Sequence, residues 1–437
     1  MAQAIKNREE ILSKLGIKEL NSMQKEALEV IKASEDTVIL SPTGTGKTLA
    51  FLLPIIDMLD PECDEVQVLI VVPSRELAIQ IEQVVREMGT GYKANAIYGG
   101  RAGAKDKIDL QHPPAILIGT PGRLADHIER ESFAIKNIKT LVLDEFDKSL
   151  EIGFEVEMKA IIWELPQIRR KVLTSATEAK KIPEFVGLRD PFYINYLHEG
   201  VNELSIKVVK SAKKDKLETL AELLKQLGSQ PGIVFCNFKD SIDRVSDYLN
   251  SMNIPHGCFY GGLEQNDRER SLIKFRNGTY NLILATDLAA RGIDVTEIKF
   301  IIHYHLPIKA EEFTHRNGRT ARMHQSGTAY VLESPDEQLP DFIPAEYVSI
   351  QEIEKENKDK KKFDTLFISG GRKDKISKGD IAGFFMKEGK LAKDELGMIE
   401  LKQDCAFVAV KAEKAKNLVD KLNNTHLKKR KIRIKMI

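Results

Sequence analysis

The feature that most constrains this chain is a recurring pattern of short, almost wholly apolar, β-favouring runs separated by stretches of helical periodicity. Residues 37–40, 68–72, 115–118, 140–143 and 171–174 are such runs. Strands buried on both faces of a parallel sheet have this composition. Between the second and third runs, Leu77, Ile81, Val84, Val85 and Met88 stand at helical spacing. Strands alternating with helices in this way predict a doubly wound α/β domain. After Arg189-Asp190-Pro191 the pattern restarts, with apolar runs at 232–235, 281–284, 300–303 and 328–332. Two α/β domains in tandem are therefore expected, over residues 1–200 and 201–350.

A length of 437 residues, at about 100–200 residues per domain, leaves room for a third. Residues 351–362 are charged and nearly free of apolar side chains, as a linker would be. From 363 to 437 the pattern becomes strand, helix, strand, strand, helix, strand, the βαββαβ order of a small α+β domain resembling an RNA-recognition motif. This segment holds 18 Lys+Arg and 10 Asp+Glu, a net charge of +8, whereas the preceding 362 residues carry −7. A basic tail on a mildly acidic body points to a polyanionic partner, with a solvated lysine-rich surface as the alternative. Hydrophobic residues at 42% and charged residues at 30% exclude a disordered chain. No apolar run approaches the roughly 20 residues of a membrane helix, and the polar start, Met1 to Glu10, predicts no secretory signal. Four scattered cysteines (Cys63, Cys236, Cys258, Cys405) suit buried free thiols in a reducing cytoplasm better than disulfides or zinc.

Gly44-Thr45-Gly46-Lys47-Thr48 lies directly between the run at 37–40 and a helical segment. A strict phosphate loop has a glycine separated by four residues from the Gly-Lys pair; here Ser41-Pro42-Thr43 replaces that earlier glycine. The physics survives. Gly44 and Gly46 let backbone N–H groups converge on phosphates, and the following helix adds positive potential at its N-terminus. Lys47 can reach the β/γ-phosphates, and the Thr48 hydroxyl can coordinate Mg²⁺. A glycine-rich turn that merely packs closely is the alternative. Leu141-Val142-Leu143-Asp144-Glu145 puts two carboxylates at the C-terminal end of a strand, where α/β sheets bind ligands. Asp144 suits a Mg²⁺ ligand and Glu145 a base for the attacking water. Paired acids at a strand end can also be a solvated turn, but their place in one sheet with a phosphate loop favours nucleotide chemistry. In the second domain, Arg319 and Arg322 stand three apart, on one face if helical, as candidates to stabilise phosphoryl-transfer charge or as surface ion-pair partners.

Taken together and in order, these motifs resemble those of the DEAD-box RNA helicases of superfamily 2, over about residues 12–345. Gly16-Ile17 with Gln24 is similar to the adenine-reading Q motif. Ser41 to Thr48 is similar to motif I, and Pro73-Ser74-Arg75-Glu76-Leu77-Ala78 to motif Ia. Gly99-Gly100 and Thr120-Pro121-Gly122-Arg123 resemble the RNA motifs that follow. Asp144-Glu145-Phe146-Asp147 stands at the name motif and Ser175-Ala176-Thr177 at motif III. Val234-Phe235-Cys236-Asn237 resembles motif IV, and Gln265 with Arg268 the adjacent Gln-x-x-Arg element. Residues 286–294 resemble motif V and His315 to Arg322 motif VI. The resemblance implies two tandem RecA-like parallel-sheet domains closing on ATP and RNA. It implies an ATP site of Gln24, Ser41, Pro42, Thr43, Gly44, Thr45, Gly46, Lys47, Thr48 and Asp294. Catalysis would rest on Asp144, Glu145, Lys47, Arg319 and Arg322, with Mg²⁺ held through ATP by Thr48 and Asp144. Ser175, Thr177, Asp147 and His315 would couple nucleotide state to domain closure. RNA would run along Arg75, Gly100, Thr120, Arg123, Arg268 and Thr286.

The tail resembles the C-terminal RNA-binding domain of the DbpA-like bacterial helicases, through residues 371–376 and 380–383. That resemblance implies a hairpin of large-subunit ribosomal RNA as its ligand, with Arg372, Lys373 and Lys375 as leading contacts. Four departures stand out: Phe146 for Ala in the name motif, Asn317 for Ile and Ala321 for Gly in motif VI, and Leu20-Asn21 for Pro-Thr in the Q motif. No aromatic residue precedes Phe51. The charged catalytic groups remain. A monomeric, cytoplasmic ATP-dependent RNA helicase acting in large-subunit assembly is expected. An ATP-gated RNA clamp or assembly scaffold is the alternative, and a DNA helicase fits the name and Q motifs less well.

Overall fold

The structure, a computed structural model, describes residues 6–100, 103–177, 182–197, 204–287, 298–320, 326–344, 346–356 and 362–437. The chain divides into two units, with the main boundary between residues 202 and 203. In the first, the apolar runs form one parallel sheet: β1 (Asp36–Leu40), β2 (Val68–Val71), β3 (Ala94–Ile97), β4 (Ile116–Gly119), β5 (Thr140–Leu143), β6 (Arg170–Ser175) and β7 (Phe192–Asn195). Their order is β3-β4-β2-β5-β6-β1-β7, and every pairing is parallel. Successive side chains point to opposite faces, so Val38 and Leu40 enter one core while Ile39 enters the other. Each face is covered by helices, which is why these strands carry almost no polar side chains.

The sequence pattern predicts five of these seven strands. β3 reads Ala-Asn-Ala-Ile and carries little β-branched signal, and β7 is an edge strand with Phe192 and Tyr193 exposed. β7 lacks the two-sided burial that makes the others legible.

The second unit contains a parallel sheet of β8 (Leu204–Lys210), β9 (Gly232–Phe235), β10 (Gly257–Phe259), β11 (Leu282–Ala285), β12 (Phe300–His303) and β13 (Gly327–Glu333), in the order β10-β11-β9-β12-β13-β8. Again the two edge strands, β8 and β10, are those that the apolar pattern misses. These two parallel sheets are the RecA-like pair that the resemblance implies.

The same unit holds a four-stranded antiparallel sheet of β14 (Phe363–Ile368), β15 (Leu396–Leu401), β16 (Ala406–Lys411) and β19 (Ile434–Met436), in the order β15-β16-β14-β19. Helices Lys378–Lys387 and Ala412–Leu422 cover one face, burying Leu366, Ile368, Phe385, Val408, Val410 and Leu418. A short hairpin, β17 (His426–Leu427) and β18 (Arg430–Lys431), precedes the last strand. The opposite face of β14 meets the helix Gln265–Arg276 and the turn after it. Asn277 Nδ2 donates to Thr365 Oγ1 at 3.1 Å, and the Thr279 and Thr365 hydroxyls lie 2.7 Å apart. Arg276 pairs with Glu400 at 2.7 Å, and Lys402 with Glu269 at 3.5 Å. All three residues at the hydroxyl contact are buried. Part of the sheet face on which RNA-recognition domains stack bases is therefore covered by protein.

The four cysteines are free. Cys236 is buried, but Cys63, Cys258 and Cys405 are half-buried, which corrects the expectation of four buried thiols. No helix among the described residues is long and apolar enough to cross a membrane.

Candidate functional site

Because the first sheet is wholly parallel, the C-terminal ends of all its strands lie along one edge. The candidate residues follow β1, β2, β3, β4, β5 and β6 on that edge, and the strand order sorts them. Ser41–Thr48 and Asp144–Asp147 follow β1 and β5, and Ser175–Thr177 starts at the last residue of β6, which lies between them in the sheet. Arg75, Gly100 and Thr120 follow β2, β3 and β4, the other consecutive group. Residues proposed for nucleotide and for RNA thus occupy adjoining halves of one sheet edge.

The loop after β1 turns through Gly44 at φ 84° and Gly46 at φ 88°, a left-handed conformation that favours glycine. Gly46 caps the helix Lys47–Ile56. A Cβ there would lie 2.4 Å from Gln24 Nε2, and that amide donates to the Gly46 carbonyl at 3.3 Å. Asn21 explains its own departure from the family pattern. It caps the helix Ser22–Ala33 in a reciprocal box with Gln24, and its Nδ2 donates to Thr45 O at 3.0 Å. Ser41 Oγ donates to Thr45 Oγ1 at 2.7 Å, and Thr45 Oγ1 to Pro42 O at 2.9 Å. Lys47 Nζ donates to the carbonyls of Ser41 at 2.6 Å and Pro42 at 2.8 Å. Burial pulls the Lys47 ammonium down to about 8, against the opposing pull of Asp144 and Glu145. Thr48 is half-buried in the first turn of the same helix.

Asp144 is only 3% exposed, and its carboxyl is pushed up to about 6, first by burial and then by the neighbouring Glu145 carboxylate. Thr174 on β6 opposes this shift by donating its hydroxyl to Asp144 Oδ1. The same Thr174 oxygen accepts from Glu145 N–H at 3.1 Å. Glu145 sits in the left-handed region at φ 49°, a conformation that costs about 1 kcal/mol or more in a non-glycine residue and persists only when its surroundings enforce it. Its Oε2 lies 3.0 Å from Nζ of the fully buried Lys148. Thr177 Oγ1 donates to Asp147 Oδ2 at 3.0 Å, and Thr177 N–H donates to Ser175 Oγ at 3.0 Å. The Phe146 ring, bulky where the family has a methyl group, is buried in the apolar cluster with Leu141, Leu143 and Met158.

On the other half of the edge, Arg75 covers Gly100, where a Cβ would lie 2.6 Å from the guanidinium. Thr120 precedes the helix Pro121–Glu129. Arg123 pairs with the buried Asp106 at 2.8 Å and with Asp126 at 3.2 Å, so its charge is compensated within the fold.

In the second unit, Arg316 is the centre of a buried network. It holds Asp287 with two bonds of 2.6 Å, and donates to Asn237 Oδ1 at 2.8 Å and His305 O at 2.9 Å. The helix Ala310–Asn317 ends just after it, so Arg319 stands in the turn beyond and is buried, as is His315. Arg268 is buried with its guanidinium 5.0 Å from the Phe259 ring, and Thr286 is half-buried at the end of β11. Asp294 and Arg322 lie outside the described residues.

In the tail, Arg372–Asp374 forms a short 3-10 turn. Arg372 and Lys373 N–H groups donate to the carbonyls of Lys402 and Gln403 at 3.0 and 2.9 Å. Asp374 pairs with Arg430, and Lys428 Nζ donates to Lys375 O at 2.7 Å. The backbone of the basic turn is thus held by hydrogen bonds, with the Lys373 and Lys375 side chains exposed. Phe384 and Phe385 are core residues, whereas Phe367 lies on the opposite face, edge-on to Phe407 at 5.7 Å and under Lys435 at 5.4 Å.

Sequence reasoning missed Thr174 and Lys148. A threonine inside an apolar strand and a lysine one turn after an acidic pair are unremarkable until the fold sets both against the carboxylates.

Three family models match successive parts of the chain: DEAD/DEAH box helicase at residues 21–185, helicase conserved C-terminal domain at 215–324, and DbpA RNA binding domain at 365–436. The ATP-dependent RNA helicase DbpA of Escherichia coli is 31% identical, over 98% of this chain and 96% of that protein. The Bacillus subtilis helicase of the same name is 29% identical, over 97% and 96%. Among solved structures, Saccharomyces cerevisiae Dbp5 bound to RNA and ADP BeF3 superposes with a TM-score of 0.70 at 26% identity, covering 78% of this chain and 94% of that one. Mss116 bound to single-stranded RNA and UDP-BeF gives 0.68 at 26% identity, covering 76% and 74%. The chain therefore belongs to the DEAD-box ATP-dependent RNA helicases and carries a DbpA-type RNA-binding domain downstream of its two helicase domains.

Proposed function

We propose that this helicase hydrolyses ATP at the β1–β6–β5 edge and is directed by its tail to a hairpin of large-subunit ribosomal RNA, where it separates short duplexes during subunit assembly. The observation that carries the nucleotide half is the convergence of buried Lys47 and Asp144 with half-buried Glu145 just beyond the ends of β1 and β5, where Thr174 on the intervening β6 bridges the two acidic residues. Gln24 would read adenine from beside the loop. Backbone N–H groups of Thr43 to Thr48, freed by Gly44 and Gly46, would hold the phosphates, and Lys47 would exchange its carbonyl partners for phosphate oxygens. Thr48 and Asp144 would hold Mg²⁺, which when bound neutralises phosphate charge. A carboxylate oxygen of Asp144 and the Thr48 hydroxyl are oxygen donors of the kind a hard cation takes. Glu145 would orient the attacking water and take its proton.

Arg319 and Arg322 would reach the γ-phosphate, and Asp294 the ribose, when the domains close. Asp147, Ser175, Thr177 and His315 would relay nucleotide state to that closure. Arg75, Gly100, Thr120, Arg123, Arg268 and Thr286 would track the RNA backbone, making the core nearly blind to sequence. The functional domains are residues 1–200, 201–350 and 363–437, with 351–362 as linker, acting as a monomer in the cytoplasm.

Specificity would come from the scaffolded basic turn of Arg372, Lys373 and Lys375. It is tested by RNA-stimulated ATPase with a ribosomal hairpin and an unrelated hairpin of equal length. At physiological salt the ribosomal hairpin should half-saturate at a concentration about tenfold lower or better, a modest margin for specific binding. Charge reversal of Lys373 and Lys375 should abolish the preference while leaving stimulation by excess generic RNA. Equal half-saturation by both hairpins in the unmodified protein would sink the ribosomal assignment.

A further inference from the structure

Asn317, one of the two departures in motif VI, meets a partner that the family pattern does not assign. His303 at the end of β12 is fully buried, and its Nε2 lies 3.0 Å from Asn317 Oδ1. Its ring packs against Phe235 on β9 and Phe313 on the helix Ala310–Asn317. An amide oxygen can only accept, so Nε2 carries the proton and Nδ1 is a lone pair. That lone pair faces Arg316 Nη1 at 3.5 Å. Arg316 has five N–H donors. Four are spent on Asp287, Asn237 and His305, and the fifth is turned to the His303 ring. The charged group against the imidazole is Arg316, itself paired with Asp287; burial, with Arg316 next in weight, holds His303 down at about 3, so it stays neutral.

The backbone carries this arrangement forward. Arg319 N–H donates to Arg316 O at 3.1 Å, and Thr320 N–H to Asn317 O at 3.0 Å. Thr320 Oγ1 is anchored to Ile298 O at 2.6 Å. The turn that presents Arg319 is therefore hung on the two residues that hold His303.

We propose that Asn317 is a positioning residue for ATP hydrolysis: by accepting the Nε2 proton it locks His303 in the tautomer that receives Arg316, and so fixes the turn carrying Arg319. The proposal rests on the reading of Arg319 as a γ-phosphate contact. An aliphatic residue at 317 strands the buried Nε2–H. An aspartate instead favours the imidazolium, whose second N–H points at a guanidinium.

The test uses the full chain. In protein labelled with ¹⁵N-histidine, His303 is assigned by the signal lost in His303→Gln, and its tautomer is read from two-bond proton–nitrogen correlations. The unmodified protein should show a single neutral Nε2–H form from about pH 6 to about pH 8.5. Asn317→Leu should lose that single form and lower RNA-stimulated kcat about tenfold, equivalent to about 1.4 kcal/mol, with KM for ATP little changed. Asn317→Asp should approach normal turnover at about pH 8.5 and fall about tenfold relative to the unmodified protein by about pH 6.5, which separates the effect from misfolding. A pH profile parallel to the unmodified protein, with an unchanged tautomer in Asn317→Leu, overturns the proposal. Normal ATPase in Arg319→Ala, measured beside them, overturns instead the reading on which it rests.

Discussion

Thr174→Val removes one oxygen and keeps the shape of the side chain. That oxygen donates to the Asp144 carboxylate and accepts from the Glu145 N–H at 3.1 Å, and Thr174 itself is fully buried. A hydrogen bond to a charged group contributes about 1.5–3 kcal/mol, and a buried N–H left without a partner costs about 1–3 kcal/mol. The two are coupled through one atom, so a total near the lower sum, about 2–3 kcal/mol, is the working figure. For a first domain of this size that lowers its unfolding midpoint by roughly 4–12 °C. The functional loss should be larger than the stability loss suggests. The N–H bond is part of what holds Glu145 at φ 49°, and a base displaced by about 1 Å can lose about 10²-fold. RNA-stimulated ATPase under saturating RNA should fall about 10–100-fold in Thr174→Val, while RNA affinity is unchanged. Thr174→Ser, which keeps the hydroxyl, should retain most of the turnover. If the valine variant hydrolyses ATP at the normal rate with its midpoint unmoved, the bridge between the two carboxylate residues has no part in catalysis.

Glu145→Gln should keep nucleotide and RNA affinity and lose about 10²–10⁴-fold in turnover, as expected on removal of a general base; a loss below about threefold in steady-state ATPase would remove Glu145 from that role. Lys47→Ala should weaken ATP binding itself, read by fluorescence titration with a labelled nucleotide, because the buried ammonium proposed to meet the phosphates is gone. On acidification, the second unit should lose stability as pH falls below 6.5: His303 titrates at about 3 when folded and near 6.5 when unfolded, so the unfolded chain binds the extra proton across that window. The slope from this one group is about 1.4 kcal/mol per pH unit. His303→Gln should therefore shift the acid-unfolding midpoint followed by circular dichroism to lower pH, and an unmoved midpoint would contradict the buried neutral imidazole.

The candidate catalytic motifs were legible in the sequence because parallel-sheet strands announce themselves as apolar runs. Whatever charge follows such a run must lie on the ligand-binding edge. Lys47, Asp144 and Glu145 could therefore be placed on that edge from their neighbours alone. The groups that tune them could not. Thr174 lies inside an apolar run, and Lys148 looks like any solvated helix lysine until the fold buries it beside Glu145. His303 reads as the last residue of a strand, and its partner is 14 positions away. The edge strands escaped for local reasons: β3 reads Ala-Asn-Ala-Ile, β10 is only Gly-Cys-Phe, β8 is interrupted by Lys207, and β7 exposes Phe192 and Tyr193. The docked face of β14 escaped for another reason. Thr365 is an ordinary outward-facing strand residue until Asn277 and Thr279 meet it. Of the tail's aromatics, strand and helix alternation marks several as core, as Phe384 and Phe385 prove to be.

Strand displacement is the measurement that bears most directly on the function assigned to the whole chain. A short RNA duplex is placed beside a ribosomal hairpin in one substrate and beside an unrelated hairpin of equal length in the other. Displacement is then followed with ATP, without nucleotide, and in Glu145→Gln. Rapid ATP-dependent displacement of the hairpin-linked duplex is expected, slower by about tenfold or more with the unrelated hairpin and lost in Glu145→Gln over repeated turnovers. Equal displacement without nucleotide, or ATP hydrolysis with no displacement of either duplex, would contradict an ATP-driven helicase guided by its tail.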